Sequence, residues 1–324
     1  MKKLLSILLV ILMVSVSLAA FTSCGDKKTD SEINVTTLNG TTGFGMAPLI
    51  KRNSEGATEN KYNFDVQSDP SVVLAGLING SIDIAALPTN AAANAYNKTN
   101  GGVKIIAINT LGVLYLVTNN IDVSNFNDLD GKTIYCPAQN PFFITKYLVE
   151  ANNLSDKITI DSSTYATADA LRAAVIAGTV DYAVLPEPMV TIAKNSNANL
   201  KTTLDFTSEW NRVSGGKQLV QGCVVVRTEF LNQYPGSVKS FLSEYESSIK
   251  ALNDDPTTSS AYIKEFGIFA NDKVAAKAIP NCNIAYLDGV EMKAAMDSFL
   301  DAMYSVAPAS IGNAIPNDDF YYEA

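Results

Sequence analysis

The chain of 324 residues contains no histidine. Without an imidazole it cannot form the Ser-His or Cys-His pairs of nucleophilic catalysis, and it lacks the commonest metal ligand. Neighbouring acids such as Asp254 and Asp255, or Asp318 and Asp319, stand beside turn residues, and we interpret them as solvated ends of structural elements. We therefore expect no catalytic activity, no metal and no cofactor. An enzyme that works with carboxylates alone is the alternative.

Cysteine is scarce as well, with four residues. Cys136, Cys223 and Cys282 stand far apart, so the CxxC spacing of zinc and redox sites is absent. We expect these three to be small residues of the core, with a disulfide between Cys223 and Cys282 as the alternative. The fourth, Cys24, belongs to an N-terminal motif.

Basic residues are outnumbered, since 24 Lys and Arg against 33 Asp and Glu give a net charge of −9. An acidic chain of this kind is not suited to nucleic acid, which we exclude as a partner. Long hydrophobic runs are also rare. The run over residues 4–20 follows Lys2 and Lys3, the order of an export signal, and is shorter than the about 20 apolar residues of a membrane-spanning helix.

The residues after this run, Phe-Thr-Ser-Cys at positions 21–24, resemble the lipobox of bacterial lipoproteins. In that motif the cysteine becomes lipid-modified and is then the first mature residue; Phe21 stands where leucine is usual. We predict a signal peptide over residues 1–23, lipidation of Cys24, and a polar tether within residues 24–32. A leader that is cleaved elsewhere is the alternative.

The stretch from Ile33 to Ile50 predicts a strand, a glycine-rich turn and the start of a helix. Glycine tolerates positive φ, so the turn over residues 40–45 can bring the backbone close to a ligand. The free N–H groups and the dipole of the following helix would favour a small polar or anionic group. An ordinary connection between strand and helix is the alternative.

The next segment predicts a strand over 62–66, a helix over 68–79 and a strand over 82–87. Ser68 is a candidate N-cap of the helix, and Gly80 suits its end. Pro88 ends the second strand, and Thr89 and Asn90 can cap the helix that follows. Ligands of open α/β sheets bind at such carboxyl ends of strands.

The chain also contains an internal repeat with an offset of 98 residues. Residues 80–88 (GSIDIAALP) match residues 178–186 (GTVDYAVLP) in glycine, aspartate, alanine, leucine and proline. The same offset lays residues 33–50 over residues 131–148. A shared offset in two separate segments indicates a duplicated architecture. We therefore predict two similar α/β lobes that face each other.

Further apolar strands are predicted over 103–108, 114–118 and 219–227. We interpret them as paired connections between the lobes. This interpretation assigns residues 31–113 and 222–324 to lobe 1 and residues 114–221 to lobe 2. Trp210 and Arg212 lie near the return connection and would line either the cleft or the surface.

Together, the lipobox, the TTGFG turn (41–45), the segment GSIDIAALPTN (80–90) and its counterpart GTVDYAVLPEP (178–188) resemble solute-binding proteins of ABC importers. The closest resemblance is to the nitrate, sulfonate, taurine and thiamine-pyrimidine-precursor group. It implies a type II periplasmic-binding-protein fold, in which two α/β lobes joined by two crossover strands close around a ligand cleft. It also implies a lipid-anchored monomer on the extracytoplasmic face of the cell membrane that delivers a small solute to permease and ATPase subunits.

A cleft between lobes binds its ligand through contacts from both sides at once. Backbone N–H groups and hydroxyls would hold a polar or anionic group, and two phenylalanines would enclose a flat or apolar part. The predicted ligand-binding residues are Thr41, Thr42, Gly43, Phe44, Thr89 and Asn90 of lobe 1, and Gln139, Asn140, Phe142 and Glu187 of lobe 2.

Some of these residues have structural alternatives. Phe44 and Phe142 would serve equally well in the core, and the Glu187 carboxylate would stabilise the start of the next helix. No arginine lies in the predicted loops, which disfavours a doubly charged, phosphate-like ligand.

The solute class stays open between a sulfonate, nitrate or taurine-like anion and an aminopyrimidine thiamine precursor, whose amine Glu187 would receive. A membrane-anchored ligand sensor would share the same cleft. The lack of histidine argues against the related pyrimidine-synthesising enzymes of this fold.

Overall fold

The structure, a computed structural model, describes residues 27–322. The predicted signal peptide (1–23) and Cys24 lie outside the described residues. The strands are β1 (Ile33–Leu38), β2 (Tyr62–Gln67), β3 (Ile84–Pro88), β4 (Val103–Leu111), β5 (Leu114–Asn119), β6 (Thr133–Tyr135), β7 (Thr159–Asp161), β8 (Tyr182–Pro186), β9 (Leu200–Asp205), β10 (Val220–Arg227) and β11 (Ile284–Leu287).

The strands form two sheets, with the orders β11-β4-β10-β3-β1-β2 and β7-β6-β8-β5-β9. In the first sheet β1 pairs in parallel with β2 and β3, while β10 runs antiparallel to β3 and β4. The second sheet repeats this plan, because β6 pairs in parallel with β7 and β8 while β5 runs antiparallel to β8 and β9. We call the residues around the first sheet lobe 1 and those around the second sheet lobe 2.

Helices cover both sheets. They are α1 (Thr41–Phe44), α2 (Ala47–Ser54), α3 (Pro70–Asn79), α4 (Thr89–Thr99), α5 (Asn140–Ala151), α6 (Ala168–Ile176), α7 (Met189–Ser196), α8 (Phe206–Val213), α9 (Thr228–Gln233), α10 (Pro235–Asp254), α11 (Pro256–Glu265), α12 (Asp272–Ala278) and α13 (Gly289–Val306). Single 3₁₀ turns occur at Phe126–Leu129, Ile279–Asn281, Pro308–Ile311 and Asp318–Phe320.

The predicted α/β fold with two lobes is confirmed, and the repeat accounts for its plan. Strands β3 and β8 occupy repeat-equivalent residues, and helix α3 corresponds to helix α6. Both helices have an N-cap side chain that accepts a backbone N–H: Asp69 accepts from Ser71 N at 2.8 Å, and Thr167 accepts from Ala170 N at 3.2 Å. The duplication is therefore visible in local chemistry as well as in strand order.

Several local details differ from the sequence predictions. Asp69, not Ser68, caps α3, because its carboxylate reaches the first free N–H. Thr89 and Asn90 do not cap α4, since they already belong to its first turn and Pro88 holds the cap position. Within the turn over residues 40–45, Gly40 alone has positive φ, at 82°.

The cysteine alternative is wrong, because Cys136, Cys223 and Cys282 are buried free thiols. Cys223 lies on β10 with its Sγ 3.6 Å from the carbonyl oxygen of Leu87. Burial raises the pKa of the Cys136 thiol to about 12, so this side chain behaves as a small core residue.

The lobes contact each other through the C-terminal helix. Trp210 on α8 is fully buried between Tyr147 on α5 and Phe299 on α13, with ring centroids 4.6 Å and 6.1 Å away. Lys146 Nζ of α5 donates to the carbonyl oxygen of Val306 at 3.0 Å. Trp210 therefore lies in the contact between lobes. Arg212 is exposed and donates to Glu209 and Asn152.

A second contact between the lobes is made by Tyr115 of β5, which donates its hydroxyl to the carbonyl oxygen of Asn281 at 2.8 Å. Part of the predicted tether also contacts lobe 1. Gly236 N donates to the carbonyl oxygen of Lys27, and Thr29 N donates to Ser237 Oγ.

Within residues 27–322, no helix is both long and apolar enough to cross a membrane.

Candidate functional site

Two of the cavities between the lobes are lined by residues that follow parallel strands. The first, which we call the Arg172 cavity, has a volume of about 560 Å³ and takes Asn39, Gly40 and Phe269 from lobe 1 and Asp169, Arg172 and Met189 from lobe 2. The second, the Asn90 cavity, has a volume of about 300 Å³ and includes Ser71, Asn90, Asn94, Ser310, Gln139 and Phe143. Both combine residues of the two lobes, as a ligand cleft requires.

Arg172 on α6 gives the first cavity a positive group. Its Nη2 lies 3.1 Å from Asp169 Oδ1, and its Nη1 lies 3.7 Å from the sulfur of Met189. Its Nε is buried and has no hydrogen-bond partner within residues 27–322. A guanidinium carries five donors in a planar fork, and 26% of this side chain is exposed, so part of its donor capacity remains for an anion.

The Gly40 turn forms the lobe 1 wall of the Arg172 cavity. Gly40 N donates to the carbonyl oxygen of Ile268 at 3.0 Å, which holds the turn against the loop that contains Phe269. A Cβ at Gly40 would have nothing within 4 Å, so the positive φ, not space, calls for glycine there.

The Asn90 cavity has a different chemistry. The Oδ1 atoms of Asn90 and Asn94 and the Oγ of Ser310 are buried and have no hydrogen-bond partner among the described residues. Asn140 Oδ1, at the start of α5, is in the same state. Buried polar atoms are normally paired, because desolvation without a partner costs about 1–3 kcal/mol each. These four acceptors have almost no accessible surface, so in this conformation they are closed off from solvent in the cavity.

Gln139 combines an exposed side chain with a strained backbone. It precedes α5 with φ 64° and ψ −128°, a conformation that suits glycine. Gly40, which precedes α1 in the other lobe, has φ 82° and ψ −160°. The two lobes therefore present the same unusual turn to the cleft, and lobe 2 uses a non-glycine residue for it. Such strain is found at ligand-binding sites where the surrounding fold imposes it.

Three of the predicted site residues lie in the core of lobe 1. Phe44 is fully buried and packs edge-on to Phe269 at 6.1 Å. A Cβ at Gly43 would lie 2.1 Å from the carbonyl oxygen of Leu38, so its missing side chain serves the packing of α1 on β1. Thr89 is buried, and its hydroxyl donates to the carbonyl oxygen of Val220 at 3.0 Å. In this conformation none of these side chains is free for a ligand.

The other predicted residues are distributed differently. Thr41 and Thr42 are half-buried beside Gly40, and Asn109 Nδ2 donates to the carbonyl oxygen of Thr42 at 3.1 Å. Phe142 is half-buried and packs against Phe143 at 5.8 Å. Asn90 and Gln139, from opposite lobes, are brought together at one cavity. Ligand contact for all ten predicted residues stays a prediction.

Glu187 lies in a third inter-lobe cavity, with Tyr115 and Lys277. Its side chain is 4% exposed, and its carboxylate accepts from the N–H and the hydroxyl of Thr191 at 3.1 and 3.0 Å. This is the arrangement of a carboxylate at a helix start. Burial raises the pKa of the Glu187 carboxyl above its ordinary value, although the bonds from Thr191 oppose the shift.

Sequence reasoning missed Arg172, Asn94 and Ser310. The argument from the lack of arginine considered only the loops after the strands, and Arg172 lies outside them. Arg172 reaches the cleft from the first turns of α6. The repeat offset aligns Arg172 with Leu74, but the place of Leu74 beside the Asn90 cavity is known only from the structure. Among the described residues, no group of three or more acids and cysteines is placed to hold a metal ion.

Solved structures identify the fold as that of periplasmic binding proteins. An ABC transporter protein from Parabacteroides distasonis is 26% identical, with a TM-score of 0.76 over 91% of this chain and 99% of that one. The periplasmic aliphatic sulphonate binding protein SsuA from Escherichia coli is 14% identical, with a TM-score of 0.71 over 91% and 93%. SsuA from Xanthomonas axonopodis, bound to MOPS, is 14% identical, with a TM-score of 0.63 over 90% and 98%.

The family is established by a match of residues 53–259 to the substrate-binding domain of ABC-type glycine betaine transport systems. The chain belongs to this family and is the substrate-binding component of an ABC transporter, a class of extracytoplasmic proteins. No curated protein sequence matches the chain.

The backbone of Gln139 yields a stability prediction. We expect Gln139→Gly to have a free energy of unfolding about 1 kcal/mol higher than Gln139→Ala, because only glycine adopts this φ and ψ without strain. Urea denaturation of the two variants, which lose the same side-chain contacts beyond Cβ, measures the difference. Equal midpoints and slopes would mean that the turn relaxes and holds no strain.

Glu187 yields a pH prediction. Because the pKa of this carboxyl is raised in the folded state, the native protein holds the proton more tightly than the unfolded chain does. The contribution of Glu187 to the free energy of unfolding therefore falls as pH rises from about 4.5 through the folded pKa. Glu187→Gln removes this loss. We expect the melting temperature of Glu187→Gln relative to the wild type to rise between pH 4 and pH 7. A relative fall over that interval would mean that the folded pKa is lowered.

Proposed function

We propose that the protein captures a small anionic organic solute, of the sulfonate, nitrate or taurine-like class, by closure of the two lobes and delivers it to permease and ATPase subunits. The observation that carries this proposal is Arg172, a partly exposed arginine that lines an inter-lobe cavity. An anion in that cavity would receive charge-assisted hydrogen bonds, which are the stronger kind. The proposed lobes are residues 31–113 plus 222–324 and residues 114–221.

A sulfonate suits this cavity better than the other solute classes. Structural neighbours from Escherichia coli and Xanthomonas axonopodis are described as sulfonate-binding, one of them with MOPS bound. Glycine betaine, named in the family description, carries a quaternary ammonium, which proteins recognise with several aromatic faces. The lining of the Arg172 cavity contains a single aromatic residue, Phe269. The guanidinium therefore favours the anion.

The placement of Glu187 argues against the aminopyrimidine alternative. The aminopyrimidine hypothesis needs a carboxylate that is free to accept a hydrogen bond from an amine of the ring. Glu187 already accepts two hydrogen bonds from Thr191, and it lines a separate cavity. A role as a ligand sensor and a carboxylate-only enzyme have no observation of their own in their favour. We therefore propose transport and no catalytic activity.

We also propose that the mature protein is a monomer held at the extracytoplasmic face of the membrane by a lipid on Cys24. The sequence motif at residues 21–24 supports the anchor. Lys27 and Thr29 are already bonded to lobe 1, so a lipid on Cys24 would hold the lobes close to the membrane surface.

Substitution of Arg172 tests the anion site. We expect Arg172→Gln to weaken the binding of ethanesulfonate by about 10- to 100-fold, since hydrogen bonds to a charged group contribute about 1.5–3 kcal/mol. The separate double variant Thr42→Ala with Asn140→Ala should also bind ethanesulfonate more weakly than the wild type does. Isothermal titration calorimetry measures the affinities, and the ligand-induced rise in melting temperature provides a second readout.

The matched control is Arg212→Gln, which removes an exposed arginine of the same lobe that lines neither cavity. It should bind ethanesulfonate as the wild type does. Unchanged affinity in Arg172→Gln would refute the anion site. The same would follow if sulfonates, nitrate and taurine all failed to bind the wild-type protein.

The anchor has a separate test. Intact-mass spectrometry of protein extracted from its native membrane should show a chain that starts at Cys24 and carries the mass of a diacylglycerol group. Cys24→Ala should release the protein from the membrane fraction. A mature chain that starts elsewhere, with an unmodified cysteine, would contradict lipidation.

A further inference from the structure

The first connection between the lobes is two residues long. Strand β4 of lobe 1 ends at Leu111, strand β5 of lobe 2 begins at Leu114, and Gly112 and Val113 lie between them. A Cβ at Gly112 would lie 2.2 Å from Thr207 Oγ1, at the start of α8. The connection therefore packs tightly against lobe 2, and its position depends on the groups that hold its backbone.

The backbone of this connection is held by side chains as well as by backbone groups. Leu111 N donates to the carbonyl oxygen of Asn283 at 3.0 Å, and Asn283 Nδ2 donates to the carbonyl oxygen of Gly112 at 2.5 Å. Val113 is buried, and its N–H donates to Gln221 Oε1 at 2.7 Å. Because a buried backbone N–H needs a partner, the amide oxygen of Gln221 fixes the place of Val113.

Gln221 reaches the connection because it stands in a β-bulge of β10, the strand that returns from lobe 2. Val220 pairs with Leu111 and Gly222 pairs with Thr110, so Gln221 is an extra residue with no partner position on β4. A bulge redirects the side chain of its extra residue. Here the bulge directs the half-buried amide of Gln221 across to the first connection.

The other polar group of Val113 is bonded to the lobe 2 wall of the Arg172 cavity. Its carbonyl oxygen accepts from Glu187 N at 2.9 Å. The two residues that follow, Pro188 and Met189, line the cavity, and the sulfur of Met189 lies 3.7 Å from Arg172 Nη1. The hydrogen bonds of Val113 therefore link the bulge in β10 to the wall beside the guanidinium.

The lobe 1 wall is held in a similar way. The next register shift, between Gly222 and Cys223, leaves Asn109 as an extra residue of β4. Asn109 Nδ2 donates to the carbonyl oxygen of Thr42 at 3.1 Å, within the turn that starts at Gly40. Two consecutive bulges of one strand pair therefore anchor residues of both cavity walls.

From these contacts we infer that Gln221 is a positioning residue for solute binding: its side chain holds Val113, and through Val113 the lobe 2 wall of the Arg172 cavity. Gln221 does not line that cavity. The inference rests on the proposed function, because the wall matters for a solute that binds beside Arg172. The acceptor oxygen carries the role, so glutamate can replace Gln221 and leucine cannot.

Nuclear magnetic resonance of the ligand-free protein tests the positioning directly. We expect the Val113 amide to exchange with solvent about three- to tenfold faster in Gln221→Leu, which lacks the acceptor, than in the wild type. The methyl signal of Met189, assigned by its absence in Met189→Leu, should shift in the same variant. Gln221→Glu keeps an acceptor oxygen and should match the wild type in both measurements.

Calorimetric titration with ethanesulfonate tests the effect on binding. We expect Gln221→Leu to bind about three- to tenfold more weakly than the wild type, and Gln221→Glu to bind within about twofold of it. The matched control is Gln218→Leu, an exposed glutamine three residues earlier in the chain, which should bind as the wild type does. Melting curves check that every variant folds.

The outcomes separate this inference from the proposed function. An unchanged Met189 signal in Gln221→Leu would refute the positioning role, and so would a Gln221→Glu variant that behaves as Gln221→Leu does. If Gln221→Leu lowers the melting temperature but binds ethanesulfonate as the wild type does, Gln221 serves stability alone. If the wild type binds no sulfonate, the proposed solute class falls, while the Met189 signal and its recovery in Gln221→Glu still decide whether Gln221 positions the wall.

Discussion

The parallel pairing of β1 with β3, and of β6 with β8, is the constraint on which the cleft depends. Parallel neighbours end at the same edge of a sheet, so the loops that follow them are brought together without any contact between the loops themselves. Because the chain builds this arrangement twice, loops of both lobes line the Arg172 cavity and also the Asn90 cavity. The helices that follow these loops add further lining residues, Arg172 to the first cavity and Asn94 to the second.

Much of this plan could be predicted from sequence, because glycine and proline mark the ends of helices and strands and because the chain contains an internal repeat. Gly80 takes the left-handed conformation at the end of α3, and Pro88 closes β3, as predicted. The offset of 98 residues places β8 on the equivalent residues of β3. Signals of this kind survive in a single sequence since they depend on backbone conformation and on short-range order.

The details of the site depended on contacts that the sequence does not display. Phe44 lies in a buried cluster, and Phe269, which packs edge-on to its ring, comes from a distant part of the chain. The Thr89 hydroxyl is occupied by the carbonyl oxygen of Val220, on a strand that returns from lobe 2. Ser310 reaches the cleft from the C-terminal region. Sequence reasoning could therefore place residues beside a predicted loop, whereas burial by a distant segment and lining residues from elsewhere in the chain depend on tertiary packing.

The contact of α13 with lobe 2 has a spectroscopic consequence. Trp210 is the single tryptophan of the chain, and it is enclosed by an aromatic ring from each lobe, Tyr147 and Phe299. Indole emission responds to the polarity and the quenching groups around the ring. The protein therefore carries one intrinsic fluorophore at the contact between its lobes, and closure of the lobes, as proposed, would alter its emission without any attached dye.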